Sequence, residues 1–354
     1  MEHFDVNPMG LDGFEFCEFT SPDPDALAAE FEKLGFVAAA THPTKAVTRY
    51  KQGRINLLLN REDNGHAAGF RAAHGPSASA MAFRVKDAAA AYAAAIERGA
   101  KPGATGGALD GVPVLEGIGG SLLYLVDTHG DNGSLYDDWT PVPGAKQAEA
   151  EHNVGLDLLD HLTHNVKRGE MRTWSAFYGR IFGFEEQKYF DIKGKATGLF
   201  SQAMIAPDKA IRIPLNESQD EHSQIEEFIR DYNGEGIQHL ALTTDDIYST
   251  VEKLRARGVR LQDTIETYYE LVDKRVPGHG ENLERLRQNR ILIDGDIENE
   301  GLLLQIFTET MVGPIFFEII QRKGNEGFGN GNFQALYESI ELDQIRRGVI
   351  TVDA

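Results

Sequence analysis

Residues 302–333 read LLLQIFTETMVGPIFFEIIQRKGNEGFGNGNF. The stretch predicts two strands, 302–308 and 315–321, either side of the Gly313-Pro314 turn. Each run is short, apolar and rich in β-branched and aromatic side chains. One carboxylate, Glu318, stands inside the second run. An ionised carboxylate in an apolar strand has to be paired, protonated or bound to a metal, because burying it alone is very costly. Two histidines elsewhere in the chain stand in matching strand settings.

The chain has 354 residues, more than one typical core accommodates, and so predicts two domains. A hydrophobic content of 41% with 25% charged residues places it among ordinary globular proteins. The net charge of -20 argues against nucleic acid and against anionic membrane surfaces as partners. It leaves an anionic substrate open, since one local cation overrides a distant field. A single cysteine, Cys17, excludes an intrachain disulfide framework and predicts a reducing, cytoplasmic setting. The first residues lack a basic segment followed by an apolar one, and no run approaches the roughly 18 apolar residues of a membrane span.

Working back to the start, residues 13–20 alternate like a strand, and Ser21-Pro22-Asp23-Pro24-Asp25 opens a helix that stops at Gly35. Strand-like runs follow to residue 62. A Gly/His-rich loop, a strand at 77–85, an Ala-rich helix and strands at 112–116 and 121–126 complete a first half. Residues 139–155, with two prolines and no apolar period, read as a linker. The order then repeats: a strand at 158–166, a helix at 171–182 ended by Gly183, and strands at 184–192, 197–206 and 210–214. A strand at 236–243, another helix, and strands at 291–294, 302–308 and 315–321 follow, before a closing helix that begins near Asn332.

The halves superpose as text, which predicts a duplicated array of β-α-β-β-β modules. Leu11-Asp12-Gly13-Phe14 answers Leu159-Asp160-His161-Leu162. Ala80-Met81-Ala82-Phe83 answers His239-Leu240-Ala241-Leu242, and Leu122-Leu123-Tyr124-Leu125 answers Phe316-Phe317-Glu318-Ile319. Where the first half has Gly13, Ala80 and Tyr124, the second has His161, His239 and Glu318. Only residues 151–354 could therefore hold a metal, and residues 1–150 read as a structural copy.

Strand alternation sorts these side chains by face. His161 lies with Thr163 and opposite Asp160, Leu162 and His164. His239 lies with Ala241, Gln305 with Phe307, and Phe316 with Glu318. The inward set is His161, His239, Glu318, Gln305, Phe307 and Phe316. Two imidazoles and one carboxylate on separate strands, with half the coordination sphere open, is the facial arrangement of non-haem Fe(II) oxygenases. Zinc accepts the same ligands, though it prefers four-coordinate sites. Two neutral imidazoles, one carboxylate and a divalent cation leave a net positive charge, which suits an anionic chelator such as a 2-oxo acid.

The runs DHLTHNV, YNGEGIQHLAL, LLLQIFTE, FFEIIQRKG and GFGNGNFQALYESIELDQIRRGV resemble the 4-hydroxyphenylpyruvate dioxygenase family of bacterial type. The likeness covers the second half nearly end to end, and the first half mainly through module layout. It implies an α+β protein of two vicinal oxygen chelate domains, each an open barrel of paired β-α-β-β-β modules. By resemblance, Fe(II) would be held by His161, His239 and Glu318. The same likeness places Ser201, Asn216, Gln224, Gln238, Gln305, Phe307, Phe316, Phe328, Asn332 and Phe333 around the substrate. Gln238, opposite His239 by alternation, reads as a support rather than a direct contact. The implied reaction takes 4-hydroxyphenylpyruvate and O2 to homogentisate and CO2, and the implied assembly is a tetramer or dimer of one chain.

The glycine segment 327–331 lacks the spacing of a dinucleotide loop and the Lys-Ser/Thr of a phosphate loop. It reads instead as a hinge for a C-terminal lid helix over the pocket. Three other readings stay open: a 4-hydroxymandelate synthase, which shares substrate, metal and fold; a ligand-binding protein of the same fold without turnover; and a zinc-dependent isomerase or lyase. The charged stretch 264–300 has no chemical role legible in its residues.

Overall fold

The computed structural model of the chain describes residues 7–193, 198–221, 223–332 and 334–335. Among the described residues, sixteen strands form two eight-stranded sheets. The first holds β1 (Phe14–Thr20), β2 (Val37–Thr41), β3 (Val47–Gln52), β4 (Ile55–Asn60), β5 (Ser77–Arg84), β6 (Val114–Glu116), β7 (Leu122–Val126) and β8 (Thr140–Pro141). Their order is β6-β7-β5-β1-β4-β3-β2-β8. The second holds β9 (Leu156–Val166), β10 (Glu185–Lys193), β11 (Gly198–Ile205), β12 (Arg212–Ser218), β13 (Gly236–Thr244), β14 (Leu292–Asp296), β15 (Gly301–Phe307) and β16 (Phe316–Lys323). Their order is β10-β11-β12-β9-β13-β16-β15-β14.

Read backwards, β2-β3-β4-β1-β5-β7-β6 of the first sheet falls strand for strand on β10-β11-β12-β9-β13-β16-β15 of the second. The duplication expected from the text is thus a duplication of topology. It is incomplete in one place. The second module of the first sheet has three strands, not four, and β8 supplies an extra edge by pairing Pro141 with Ala40 on β2.

The helices are α1 (Pro24–Lys33), α2 (Gly65–His74), α3 (Ala88–Glu97), α4 (Ala145–His152), α5 (Met171–Phe182), α6 (Gln224–Asp231), α7 (Ile247–Ala256), α8 (Glu266–Glu270), α9 (Val272–Arg275) and α10 (Leu283–Asn289). Their starts obey simple capping chemistry. Asp23, Asp87 and Asp246 each accept a backbone N–H from the first turn of α1, α3 and α7. The α5 helix ends at Gly183, whose φ of 75° few other residues adopt cheaply.

Among the described residues, six helices stand where the text predicted none: α8, α9 and α10 in the charged stretch 264–300, and three others. The expected Gly/His-rich loop is α2, which buries only Ala67 and Phe70, too few apolar positions to set a period. The expected linker contains α4, an AKQAEAEH helix without a buried residue, pinned through Glu149 to Lys51 of β3. A third, α6, is a short charged helix capped by Ser223.

Backbone proximity groups the chain into two compact units, Met1–Asn153 with Leu158–Leu240 and Thr310–Phe316, and Val154–Asp157 with Ala241–Glu309 and Phe317–Ala354. In the first unit the inner face of the first sheet is filled by Phe16, Leu58, Ala80, Ala82, Tyr124, Tyr136 and Trp139. Tyr124, which answers Glu318 in the repeat, is fully buried there with its ring 5.6 Å from that of Phe16. In the second unit β15 and β16 pair antiparallel with Gln305 opposite Ile320 and Phe307 opposite Glu318.

Candidate metal centre

His161 lies mid-way along β9, 2% exposed. Alternation places the neighbouring Asp160 on the other face, yet its carboxylate bends round the strand. Oδ2 of Asp160 accepts the Nδ1 proton of His161 at 2.8 Å, and Oδ1 accepts Arg212 Nη1 from β12 at 3.2 Å. With its proton fixed on Nδ1, the imidazole presents the Nε2 lone pair, the state a metal ligand requires.

His239 on β13 is held the same way. Its Nδ1 donates to Gln238 Oε1 at 3.0 Å, which again leaves Nε2 as the acceptor. That atom takes a hydrogen bond from the Thr163 hydroxyl at 3.0 Å. The two imidazole rings stand 5.6 Å apart and near perpendicular, and Phe316 stacks on His239 at 4.8 Å.

Glu318 on β16 is 3% exposed. Its Oε1 accepts Gln305 Nε2 at 3.1 Å, and Gln305 Oε1 accepts Asn332 Nδ2 at 2.9 Å. One residue pair further along the strands, Ala241, Leu303 and Ile320 close a small apolar cluster.

His161, His239 and Glu318 each offer one ligand atom, and those atoms lie within 4.8 Å of one another, all in buried residues. The donor set fits a divalent cation. Both imidazoles are oriented through Nδ1, and a carboxylate is withdrawn from water, a burden a cation relieves. His164, three residues beyond His161, is not a competitor. It is fully buried, its Nε2 lies 2.7 Å from the Tyr178 hydroxyl, and burial pushes its pKa down to about 3. It is a neutral core histidine, as alternation places it.

The remaining expected pocket residues are spread over several elements. Ser201 and Asn216 are half-buried and face each other across β11 and β12. Gln224 is exposed at the first residue of α6. Gln238, expected opposite His239, is hydrogen-bonded directly to its ring nitrogen at 3.0 Å. Phe307 is half-buried opposite Glu318, and Phe328 is half-buried with the Arg322 guanidinium 5.9 Å from its ring centre. Asn332 is buried against Gln305. Phe333 lies outside the described residues, as does the expected lid helix beyond residue 335; residues 330–332 and 334–335 are helical.

The glycine segment has a use that the hinge reading did not anticipate. Gly329 has a φ of 71°, and any Cβ there would overlap Gln305 Oε1; one on Gly331 would overlap Asp294. These two glycines let the backbone lie directly on Gln305, which bonds Glu318, and on Asp294 of β14. The text also missed Asp160, which bonds its own chain neighbour, and Thr163 and Arg212, which bond His239 and Asp160 across adjacent strands. It missed Tyr268 and Arg275 too, which bond to Asn332 from the charged stretch.

The family model for the N-terminal part of hydroxyphenylpyruvate dioxygenase matches residues 4–139. That for the glyoxalase/bleomycin resistance protein/dioxygenase superfamily matches residues 158–271. A 4-hydroxyphenylpyruvate dioxygenase from Pseudomonas aeruginosa is 60% identical over 97% of this chain and 97% of its own length. The chain belongs to the 4-hydroxyphenylpyruvate dioxygenase family. A Vibrio vulnificus protein named hemolysin VllY is 56% identical over 98% of each chain. Among solved structures, a triple mutant of 4-hydroxymandelate synthase from Streptomyces coelicolor matches with a TM-score of 0.80 at 27% identity, over 95% of this chain and 100% of that one. The family's two-domain vicinal oxygen chelate fold is the fold of the two sheets, and its dioxygenase class agrees with a buried His-His-Glu group. Among the described residues, no helix is long and apolar enough to cross a membrane.

Proposed function

We propose that this protein converts 4-hydroxyphenylpyruvate and O2 to homogentisate and CO2 with Fe(II) held by His161, His239 and Glu318. The observation that carries the reading is that these three buried side chains offer ligand atoms within 4.8 Å of one another, in a chain of this family. Fe(II), when bound, supplies a Lewis acid for the 2-oxo acid and the electrons that activate dioxygen. The protein's own contribution is to place, orient and keep dry. Asp160 and Gln238 keep both imidazoles in the metal-accepting tautomer. Two neutral imidazoles and one carboxylate leave a divalent ion with net positive charge, which attracts the anionic end of the substrate into an acidic protein.

Phe307, Phe316 and Phe328 are suited to the aromatic ring. Ser201, Asn216, Gln224, Gln305 and Asn332 are assigned to its polar ends; Phe333, outside the described residues, is assigned to the substrate by the family resemblance alone. Amide and hydroxyl groups bind phenol and oxo acid without altering the charge at the metal. Residues 1–150 serve as a structural copy and residues 151–354 as the catalytic half. The packing of Ala80 and Tyr124 into an apolar core, at positions answering His239 and Glu318, supports this division. A cytoplasmic, homo-oligomeric enzyme completes the reading; the single buried Cys17 supports the reducing compartment.

The likeness to a hydroxymandelate synthase structure favours one second reading, benzylic rather than ring hydroxylation. One experiment separates them. The purified chain is reconstituted anaerobically with Fe(II), mixed with 4-hydroxyphenylpyruvate and O2, and the product identified. Homogentisate is the expected product. Hydroxymandelate would transfer the chain to the second reading, and no substrate-dependent O2 uptake would leave a binding protein.

A further inference from the structure

The two amides beside Glu318 have two ways round. Gln305 and Asn332 could flip together and keep the bond between them, but Gln305 Oε1 would then face the Glu318 carboxylate, oxygen against oxygen. The sense is fixed at the far end of the chain of bonds. Asn332 Oδ1 lies 2.6 Å from the Tyr268 hydroxyl and 3.1 Å from Arg275 Nη1. Arg275 Nη2 lies 2.7 Å from the same hydroxyl, with the guanidinium 4.7 Å from the centre of the Tyr268 ring.

A phenol donates or accepts, so Tyr268 alone would tolerate either orientation of Asn332. A guanidinium has donors only. Its two bonds have one possible direction: Asn332 must turn its oxygen to Arg275, and Tyr268 must accept. Tyr268 also accepts the Ile293 backbone N–H at 2.9 Å. Its own proton is then left for Asn332 Oδ1 at 2.6 Å, a shorter path than the 3.1 Å to the Ile293 carbonyl. The donors therefore run one way, from Arg275 to Asn332 to Gln305 to Glu318.

We propose that Arg275 is a positioning residue for the metal centre: it fixes the orientation of Asn332 and Gln305, so that Glu318 meets an amide donor and never an amide oxygen. The inference rests on reading Glu318 as a metal ligand. It gives a task to the charged stretch 264–300, since α8 supplies Tyr268 and α9 supplies Arg275. The two residues are placed where the closing segment docks, because Asn332 follows Gly329 and Gly331 directly.

The test uses the full chain and Co(II) as the probe, with affinity read by competition against a chromophoric chelator and geometry read from the Co(II) absorption bands. Arg275→Met is expected to weaken Co(II) binding about tenfold or more and to shift the bands, with Arg275→Lys in between and Tyr268→Phe milder than Arg275→Met. If Arg275 acts through Asn332, the double variant Arg275→Met/Asn332→Ala binds no more weakly than Asn332→Ala alone. Binding by Arg275→Met within about twofold of the parent, against the loss expected of a supporting residue, overturns the proposal. So do losses that multiply in the double variant. Should Arg275→Met fail to fold, Arg275→Lys and Tyr268→Phe decide, and parental affinity and bands in both overturn it. Glu318→Gln separates the two levels. If it binds Co(II) like the parent, the metal-ligand reading has failed; if it loses Co(II) while the Arg275 variants do not, only the positioning role has.

Discussion

Asp160 grips both His161 and Arg212, one carboxylate oxygen to each, at 2.8 and 3.2 Å. It is 2% exposed, so the pair with Arg212 is what makes a buried charge tolerable, and the bond to His161 is what that charge is used for.

The corresponding variant is Asp160→Asn. An amide can turn either its oxygen or its NH2 to Nδ1, and it no longer neutralises Arg212. Metal affinity and turnover should fall together, by about 10- to 100-fold. A metal titration beside a circular dichroism spectrum checks this; parental affinity in a folded variant would show that the carboxylate does not tune the ligand.

Gly329 gives a sharp contrast with Gly69. Alanine at 329 would need a φ of 71° and would overlap Gln305 Oε1, whereas Gly69 lies inside α2 with open space around it. Gly329→Ala should therefore displace the closing segment, at a cost of about 1–3 kcal/mol, and lower turnover while the global melting curve changes little. Gly69→Ala should instead raise stability by about 0.5–1 kcal/mol with turnover intact. Thermal melts and steady-state rates on the two proteins check both halves.

These cases mark where the text was legible. The buried His161, His239 and Glu318 group could be read because the three sit at equivalent positions of a repeated strand pattern, and a period of two fixes which face each occupies. The short strands around them could be read for the same reason. Asp160 was not legible, because alternation treats a side chain as a rod normal to the sheet and a carboxylate can reach its own neighbour. The helices α2 and α4 bury almost nothing, so they carry no apolar period to read. Tyr268 and Arg275 are ordinary residues of a charged stretch. Their use depends on Asn332, 64 and 57 positions away, and no local pattern encodes that meeting.

His164 supplies a pH prediction on the acid side. Burial lowers its pKa from 6.5 to about 3. Between those values the unfolded chain binds a proton that the folded chain does not, so its contribution is full above the unfolded value and is lost as pH falls towards 3. From pH 7 to 5 the loss is about 2 kcal/mol. In His164→Gln that part of the slope should vanish. Denaturant unfolding of both proteins at several pH values reads it directly, and parallel slopes would place the acid sensitivity elsewhere.

Glu18 carries the opposite sign. It lies on β1, fully buried, with Oε1 accepting from Asn60 and Ser79, and burial raises its pKa from 4.5 to about 7. The folded chain keeps its proton between those values while the unfolded chain releases one. Stability from this group is therefore full below 4.5 and declines as pH rises towards 7, by on the order of 3 kcal/mol. Glu18→Gln keeps the acceptor for Asn60 and Ser79 and removes the charge. Its stability relative to the parent should climb by that amount between pH 5 and 8, as measured by denaturant midpoints. A pH-independent difference between the two proteins would mean that Glu18 stays ionised in the fold, with the Ser79 and Asn60 hydrogen bonds and then the Lys45 charge, all of which lower its pKa, offsetting the burial.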